Sequence, residues 1–267
     1  MASQGFEQFE ALTVEVDGQI ATVTMNLPDT LNAVTPRLHS ELEQVWPLLG
    51  DREDLRCIIF TGAGRAFTVG GDIKGMARGD FGGAAGIAQF QPARQLIYRY
   101  LSVRQPIIAA LNGDCIGIGA SLALMSDFVI MAATARIGDP HVRVGMVAGD
   151  GGVPIWPLLA GLNQAKEALM LGRLYKADEA KQMGLVGRVV PKEEVGSAAR
   201  KLAEEIVALP PLAVQWTKLS LNKLLRSTVE QAFDASVALE MLTFMSQDHR
   251  RAAQSFVDKT KPLFEGN

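Results

Sequence analysis

The sequence predicts an α/β protein in which helices flank a parallel sheet. In the first half of the 267-residue chain, short apolar runs typical of buried strands alternate with segments of helical periodicity. The last third is helical, and no linker rich in Pro, Gly or Ser separates it from the rest. Glycine-rich segments follow two of the predicted buried strands, and long loops of this kind are usually functional.

Composition restricts the class of protein. Hydrophobic residues make up 48% of the chain and charged residues 21%, which is typical of a globular protein with a packed core. The 26 Lys and Arg against 29 Asp and Glu give a net charge of −3, which argues against a strongly basic nucleic-acid-binding surface. Cys57 and Cys115 lie in apolar runs, and the three histidines share no metal-binding spacing. We therefore expect neither a nucleic-acid partner nor a metal site.

The start of the chain and its apolar runs indicate a location. The first ten residues contain no basic start and no apolar stretch of the kind found in targeting signals. The longest apolar run, near residues 153–162, is about half of the roughly 20 residues that a membrane span needs. We expect a cytoplasmic protein with no membrane partner.

The chain opens with a hairpin and a helix. Residues 12–27 alternate apolar and polar side chains around Asp17 and Gly18, a dipeptide that favours a tight hairpin turn. The next apolar residues recur with helical spacing, with Thr35 as the N-cap and Pro36 at the first helical position. This pattern predicts a β-hairpin followed by an amphipathic helix.

The middle of the chain alternates strands and helices. Residues 55–62 form a short apolar run that ends in glycine, and residues 62–86 are glycine-rich enough to be mostly loop. The later predicted elements are a helix over about 85–104, a strand at 106–113, a helix at 119–127 and a strand at 128–134. Because crossovers between parallel strands are almost always right-handed, this order gives a parallel sheet flanked by helices.

From residue 151 onward the pattern is mainly helical. The predicted elements are helices at 151–161, 163–172 and 177–184, a small strand at 186–190, and helices to the end. We expect an α/β core over residues 1–200 and a C-terminal helical region over 201–267, together forming one continuous domain.

Two strand–glycine–helix segments carry the chemical signal. Residues 58–75 and 108–124 each run from a buried strand through glycines into a helix. Such junctions leave backbone N–H groups free to bind an anion, and two that converge would form an oxyanion hole. The alternative is that the glycines only permit tight turns and close packing. Ser121 does not occupy the position of a nucleophile elbow, and neither a phosphate-binding loop nor a dinucleotide fingerprint is present.

Five segments in order resemble the enoyl-CoA hydratase/isomerase (crotonase) superfamily. They are residues 27–34, 64–76, 112–127, 137–152 and 256–266. The resemblance implies a spiral of ββα turns, a C-terminal helical region that forms homotrimers or dimers of trimers, and chemistry on an acyl-CoA. It implies no cofactor beyond the coenzyme A of the substrate.

The resemblance also implies site residues. The oxyanion donors would be the backbone N–H groups of Gly71 and Ile118. The CoA would lie along Leu31, Ala33, Asp72 and Ile73. Arg65, Lys74 and a neighbouring subunit's Lys259 or Lys261 would lie near its phosphates. A solvated surface charge is an equally good reading of each of these basic residues.

The two glutamates that activate water in the hydratases are absent. The family motifs place Ser121 and His141 at their positions, which puts simple hydration in doubt. Asp150 lies nine residues after His141 and could orient its imidazole, as the acid does in a catalytic triad, or could cap a helix. We expect His141, Asp150 and Ser121 to be the catalytic candidates.

Three functions follow from these residues. The first is an acyl-CoA enzyme of the hydratase/isomerase type that stabilises a thioester enolate. The second is a retro-Claisen hydrolase that cleaves a carbon–carbon bond of a β-dicarbonyl with a His141–Asp150 dyad, as in the β-diketone hydrolases that this spacing resembles. The third is a catalytically degenerate binding subunit.

An apolar stripe in the C-terminal region bears on assembly. Val229, Phe233, Val237 and Met241 recur along one helix face. One small domain is expected to leave such a face uncovered, so the sequence predicts that neighbouring subunits share it and that the protein is not a monomer.

Overall fold

The main sheet positions the rest of the molecule. A computed structural model describes residues 5–79, 88 and 90–267. Strands are numbered along the chain, and the main sheet has the order β1-β2-β3-β4-β6-β9. Its strands are β1 (Leu12–Asp17), β2 (Ile20–Met25), β3 (Cys57–Gly62), β4 (Ile107–Leu111), β6 (Phe128–Ala132) and β9 (Arg188–Val190). β1 pairs antiparallel with β2, and the other neighbours are parallel. The predicted hairpin and parallel sheet are confirmed.

A second, smaller sheet was not predicted. It consists of β5 (Cys115–Ile116), β7 (Arg136–Gly138) and β8 (Leu174–Lys176), in which β7 pairs parallel with β5 and antiparallel with β8. Strands of two or three residues are too short to show a period of two in the sequence. This sheet joins the second glycine-rich segment to the segment that contains His141.

Ten helices are described. They are α1 (Pro36–Gly50), α2 (Ile73–Ala77), α3 (Phe90–Ser102), α4 (Ile118–Leu124), α5 (Gly152–Ala160), α6 (Leu162–Leu171), α7 (Ala177–Gln182), α8 (Val195–Val207), α9 (Pro211–Phe244) and α10 (Gln247–Asp258). Short 3-10 turns occur at Pro28–Thr30, His141–Val144 and Lys192–Glu194. The first residues of the helix predicted at 85–104 lie mostly outside the described ranges. Among the described residues, no helix combines the length and apolar character needed to cross a bilayer.

Helix α1 shows why the local sequence predictions hold. The Thr35 hydroxyl oxygen accepts a hydrogen bond from the Leu38 N–H at 3.2 Å, as an N-cap should. The predicted apolar face is fully buried, and Trp46 on the same face packs edge-on against Phe60 and Tyr100. This cluster fixes α1 against the sheet and thereby holds the loop that precedes it.

Helices α8 and α9 both pack against the α/β core. Residue 200 lies inside α8, which packs against β3, β4 and β6, so the chain leaves the sheet only at α9. The stripe of Val229, Phe233, Val237 and Met241 is buried within its own subunit, because α9 folds back against α3 and α5. Reading this stripe as an intersubunit face was therefore wrong.

Helix α9 still presents apolar side chains to solvent on its first half. These exposed residues are Leu212, Trp216, Leu219, Leu221 and Leu224. Assembly as a trimer or a dimer of trimers stays a prediction, which the family resemblance implies.

Candidate active site

A cavity of about 400 Å³ lies between the two glycine-rich segments and the C-terminal helices. Its walls come from residues 69–73, the start of α4, the His141–Val144 turn, the end of α9 and the C-terminal segment from α10 to Pro262. Most of the lining is apolar, and its titratable side chains are His39, His141, Arg143, Asp150 and Glu240. The cavity therefore combines apolar space with a small group of ionisable side chains, which is typical of an active site.

Asn32 fixes the first glycine-rich loop. It is fully buried, and its Nδ2 donates to the carbonyl oxygens of Ala63, Ala66 and Phe67 at 2.9, 3.0 and 3.1 Å. Its Oδ1 accepts from the Leu27 N–H at 2.9 Å. Asn32 has a φ of 57°, in the left-handed region, and these four hydrogen bonds offset the cost of that backbone conformation.

Thr68 links this loop to the second one. Its hydroxyl donates to the Asn32 carbonyl oxygen at 2.5 Å and accepts from the Gly70 N–H at 3.1 Å. Its methyl carbon Cγ2 lies against Gly119 in α4, where an added Cβ would come within 2.0 Å of that carbon. Glycine at position 119 is therefore required for the two loops to approach each other closely.

The two predicted oxyanion donors come together in the cavity. Gly71 and Ile118 both line it, and within the described residues neither backbone N–H donates a hydrogen bond to another group. The neighbouring Gly117 has a φ of 58° and donates its N–H to the Gly138 carbonyl oxygen at 2.9 Å. The turn at Gly117 thus leaves the N–H of Ile118, at the first position of α4, free to bind a ligand.

The imidazole of His141 lies between two carboxylates. Its Nδ1 contacts Asp139 Oδ1, and its Nε2 lies 3.3 Å from Asp150 Oδ2. Burial lowers the pKa of His141, but the two carboxylates and their hydrogen bonds outweigh burial, so the pKa lies well above its usual value. His141 therefore holds a proton at neutral pH.

The structure places the other two catalytic candidates next to His141. Asp150 lines the cavity, and helix α5 after it has Gly151 as its N-cap with no side-chain cap hydrogen bond. Ser121 is fully buried behind the cavity and donates from its hydroxyl to Asp150 Oδ1 at 3.1 Å. Both Asp150 oxygens are thus held, one by Ser121 and one by His141.

Three further residues belong to this site. Asp139 has a fully buried side chain, and Glu240 on α9 brings Oε1 to 3.7 Å from His141 Nε2. His39 on α1 also lines the cavity, and burial lowers its pKa against an opposing effect of Asp150. The sequence offered no decisive signal for Asp139, which stands beside Pro140 in the motif, and none for Glu240, which comes from a distant helix.

The same residues have the spacing of a metal site. Asp139, His141 and Asp150 each offer one ligand atom, all within 4.8 Å of one another. Both imidazole nitrogens already face carboxylates, whereas a metal requires a nitrogen with a free lone pair. Ion pairing accounts for this cluster.

The residues expected to bind CoA fall into two groups. Leu31 and Arg65 line a second cavity of about 350 Å³, together with Lys192, and Val69 lines both cavities. Ile73 lines the first cavity, Ala33 is buried, and Lys74 is exposed.

The other predicted contacts lie at the edge of the first cavity. Asp72 pairs with Arg78 at 3.6 Å. Lys259 and Lys261 are exposed and alternate in the chain with Thr260 and Pro262, which line the first cavity of the same subunit.

Comparisons with known proteins agree over nearly the whole chain. The family model for enoyl-CoA hydratase/isomerase matches residues 15–267. A probable mitochondrial enoyl-CoA hydratase of Dictyostelium discoideum is 33% identical over 262 residues, which are 97% of this chain and 92% of that protein. A 1,2-epoxyphenylacetyl-CoA isomerase of Escherichia coli is 28% identical over 259 residues, or 96% of this chain and 99% of that protein.

A solved structure supports the same relationship. The crystal structure of an enoyl-CoA hydratase/isomerase from Mycobacterium paratuberculosis superposes with a TM-score of 0.86 at 35% identity, and the match covers 92% of this chain and 98% of that one. The crotonase-type fold with its C-terminal helices is therefore confirmed. The chain belongs to the enoyl-CoA hydratase/isomerase family of enzymes.

Proposed function

We propose that this protein converts an acyl-CoA thioester through an enolate that its two glycine-rich loops stabilise. The observation that carries the proposal is that Gly71 and Ile118 line the same cavity as the His141 cluster. Two N–H groups aimed at a thioester oxygen stabilise the negative charge that develops there, and each is worth about 3 kcal/mol in comparable sites. The names of the hydratase and CoA isomerase relatives support the substrate class.

The two cavities suit the two parts of such a substrate. The acyl group would occupy the apolar first cavity, and the CoA would extend past Val69 into the second cavity, where Arg65 and Lys192 can meet its phosphates. Val69 lines both cavities, so one extended thioester can reach them across this loop.

The proton chemistry differs from that of a two-glutamate hydratase. Because His141 holds its proton between two carboxylates, it cannot accept one from water or substrate at neutral pH. We assign the role of proton acceptor to Asp150, which lines the cavity and is oriented by Ser121 and His141. The sequence alone suggested that Asp150 orients His141 as the proton acceptor. In the proposal these roles are exchanged, so that His141 orients Asp150.

A panel of CoA thioesters with saturated, 2-enoyl and 3-enoyl acyl groups tests the proposal. We expect binding of CoA thioesters, conversion of at least one, and a loss of turnover of about 10²- to 10⁴-fold in Asp150→Asn with little change in binding. Asp178→Asn on the exposed face of α7 is the matched control and should retain full turnover. Failure of every thioester to bind would refute this function.

The contact between His141 and Asp150 favours a second candidate, hydrolysis of a β-dicarbonyl. Asp150 Oδ2 lies 3.3 Å from His141 Nε2. A water molecule activated at Asp150 would add to a ketone carbonyl. The carbon–carbon bond would then break, and the enolate fragment would be protonated. Assaying free cyclic and linear β-diketones beside the thioesters separates the two reactions. Turnover of diketones alone would favour the hydrolase, and turnover of neither class would favour a degenerate binding subunit.

A further inference from the structure

Glu240 is a buried acid that reaches the cavity from the C-terminal helix. It lies on α9, near the end of the helix, and only 4% of its surface is exposed. Its Oε1 lies 3.7 Å from His141 Nε2, and its Oε2 is buried beside Gly149 without a hydrogen-bond partner among the described residues. An unpartnered carboxyl oxygen at this depth requires an explanation, because burying it costs free energy.

The charges around Glu240 indicate its protonation state. Asp139 and Asp150 already share the single positive charge of His141, so a third carboxylate would be left without a cation of its own. Burial and the repulsion of Asp150 and Asp139 raise the pKa of Glu240 well above its usual value, against the opposing effect of His141. The other ionisable groups nearby are His39 on α1, Arg143 in the His141–Val144 turn and His249 on α10.

We propose that Glu240 is the catalytic acid that delivers a proton to the enolate carbon of the substrate. This inference rests on the proposed function. In the step, the O–H bond of the Glu240 carboxyl breaks, the enolate electron pair forms the new C–H bond, and the thioester C=O is restored. Glu240 is left as a carboxylate, and the oxyanion donors release the neutral carbonyl oxygen.

The position of His141 allows a proton to pass from Asp150 back to Glu240. Its Nε2 lies 3.3 Å from Asp150 and 3.7 Å from Glu240, and so stands between the proton acceptor and the proton donor. The proton that Asp150 takes from water or substrate can then return to Glu240 through the imidazole, and no external acid or base is consumed. Glu240, on helix α9, thereby takes the role of the second of the two hydratase glutamates, whose position His141 occupies in this chain.

Glu240→Gln tests this inference, since glutamine keeps the volume of the side chain but has no transferable proton. We expect its kcat to fall about 10²- to 10⁴-fold, while the dissociation constant of a non-reactive thioester analogue changes less than about twofold. The wild-type kcat should also fall at high pH, and this alkaline limb should be absent from the variant. Glu230→Gln, an exposed position on the same helix, is the control and should behave as the wild type.

Infrared spectroscopy of the wild-type enzyme gives a readout that needs no variant. We expect the band of a protonated carboxyl group at neutral pH, which disappears as pH rises in step with turnover. An active wild type with an equally active Glu240→Gln, or a spectrum without this band, would overturn the inference and leave the proposed function intact. A wild type that converts neither thioesters nor diketones would overturn both.

Discussion

The two halves of the cavity are built in different ways. The proposed oxyanion half consists of the backbone N–H groups of Gly71 and Ile118, on loops held together by Asn32 and Thr68. The proton-handling half consists of side chains that three separate segments bring together, around residues 139–141, residue 150 and residue 240. Donor positions therefore follow from the local path of the chain, whereas proton chemistry depends on long-range packing.

Removing His141 should break the proton-handling half and have the largest effect. In His141→Ala the carboxylates of Asp139 and Asp150 lose the cation between them, and leaving buried charges unpaired costs about 3–5 kcal/mol. We expect the free energy of unfolding in urea to fall by that amount and turnover to fall below detection. Unchanged stability in both His141→Ala and the more conservative His141→Gln would show that this cluster is not the ionic network described here.

A methyl group at position 119 should break the oxyanion half without altering a charge. The Cβ of Gly119→Ala would lie 2.0 Å from Thr68 Cγ2, so we expect a loss of about 1–3 kcal/mol in stability together with a fall in turnover. The double variant Gly119→Ala, Thr68→Ser removes the clashing methyl carbon and keeps the hydroxyl that bonds Asn32 and Gly70. Urea unfolding of both variants should show recovery in the double variant, and equal losses would disprove the clash.

Changing pH should act on the proton-handling half alone. His141 and Glu240 both have a folded pKa raised above their ordinary values of 6.5 and 4.5, so the folded protein holds more protons than the unfolded chain. Stability should therefore fall as pH rises above these ordinary values towards the folded ones, by up to about 1.4 kcal/mol per pH unit for each group. Urea titrations across this range should show a flatter profile in the double variant His141→Gln, Glu240→Gln. An unchanged profile would contradict the raised pKa values.

Removing a cation from the second cavity should have the smallest effect. Arg65 is exposed, and a phosphate contact there is worth up to about 1 kcal/mol and weakens with salt. We expect Arg65→Ala to raise the dissociation constant for CoA thioesters up to about fivefold at low ionic strength and to leave kcat unchanged. Calorimetric titration at two salt concentrations checks this, with the exposed Lys201→Ala on α8 as control. An unaffected dissociation constant at low salt would exclude a phosphate contact.

Local features of the fold could be predicted because local rules govern them. Thr35 caps α1 as expected, and the hairpin around Asp17 and Gly18 forms with Leu12 opposite Met25. The small sheet was missed since its strands are too short to show alternation. The stripe that contains Phe233 was misread because periodicity shows that a face is buried but not which surface covers it.

The same distinction between local features and long-range packing applies to the candidate site. The strand–glycine–helix segments predicted converging backbone donors, the family resemblance assigned them to Gly71 and Ile118, and Asp150 was singled out by its spacing to His141. Glu240 was missed, although it lies three residues after the buried Val237 and one before the buried Met241. A charged residue on an apolar stripe is the signal that could have found it, provided that the stripe is assigned to the interior of the same subunit.

The use of main-chain donors affects how this enzyme can change. A substitution replaces a side chain, but it removes an N–H group only when it introduces proline, so the donors at positions 71 and 118 survive nearly every mutation that preserves the turns. The side chains at positions 121, 141 and 240 have no such protection. Libraries that vary these three positions while leaving both loops intact can therefore explore new reactions on a scaffold that keeps the proposed enolate-stabilising donors.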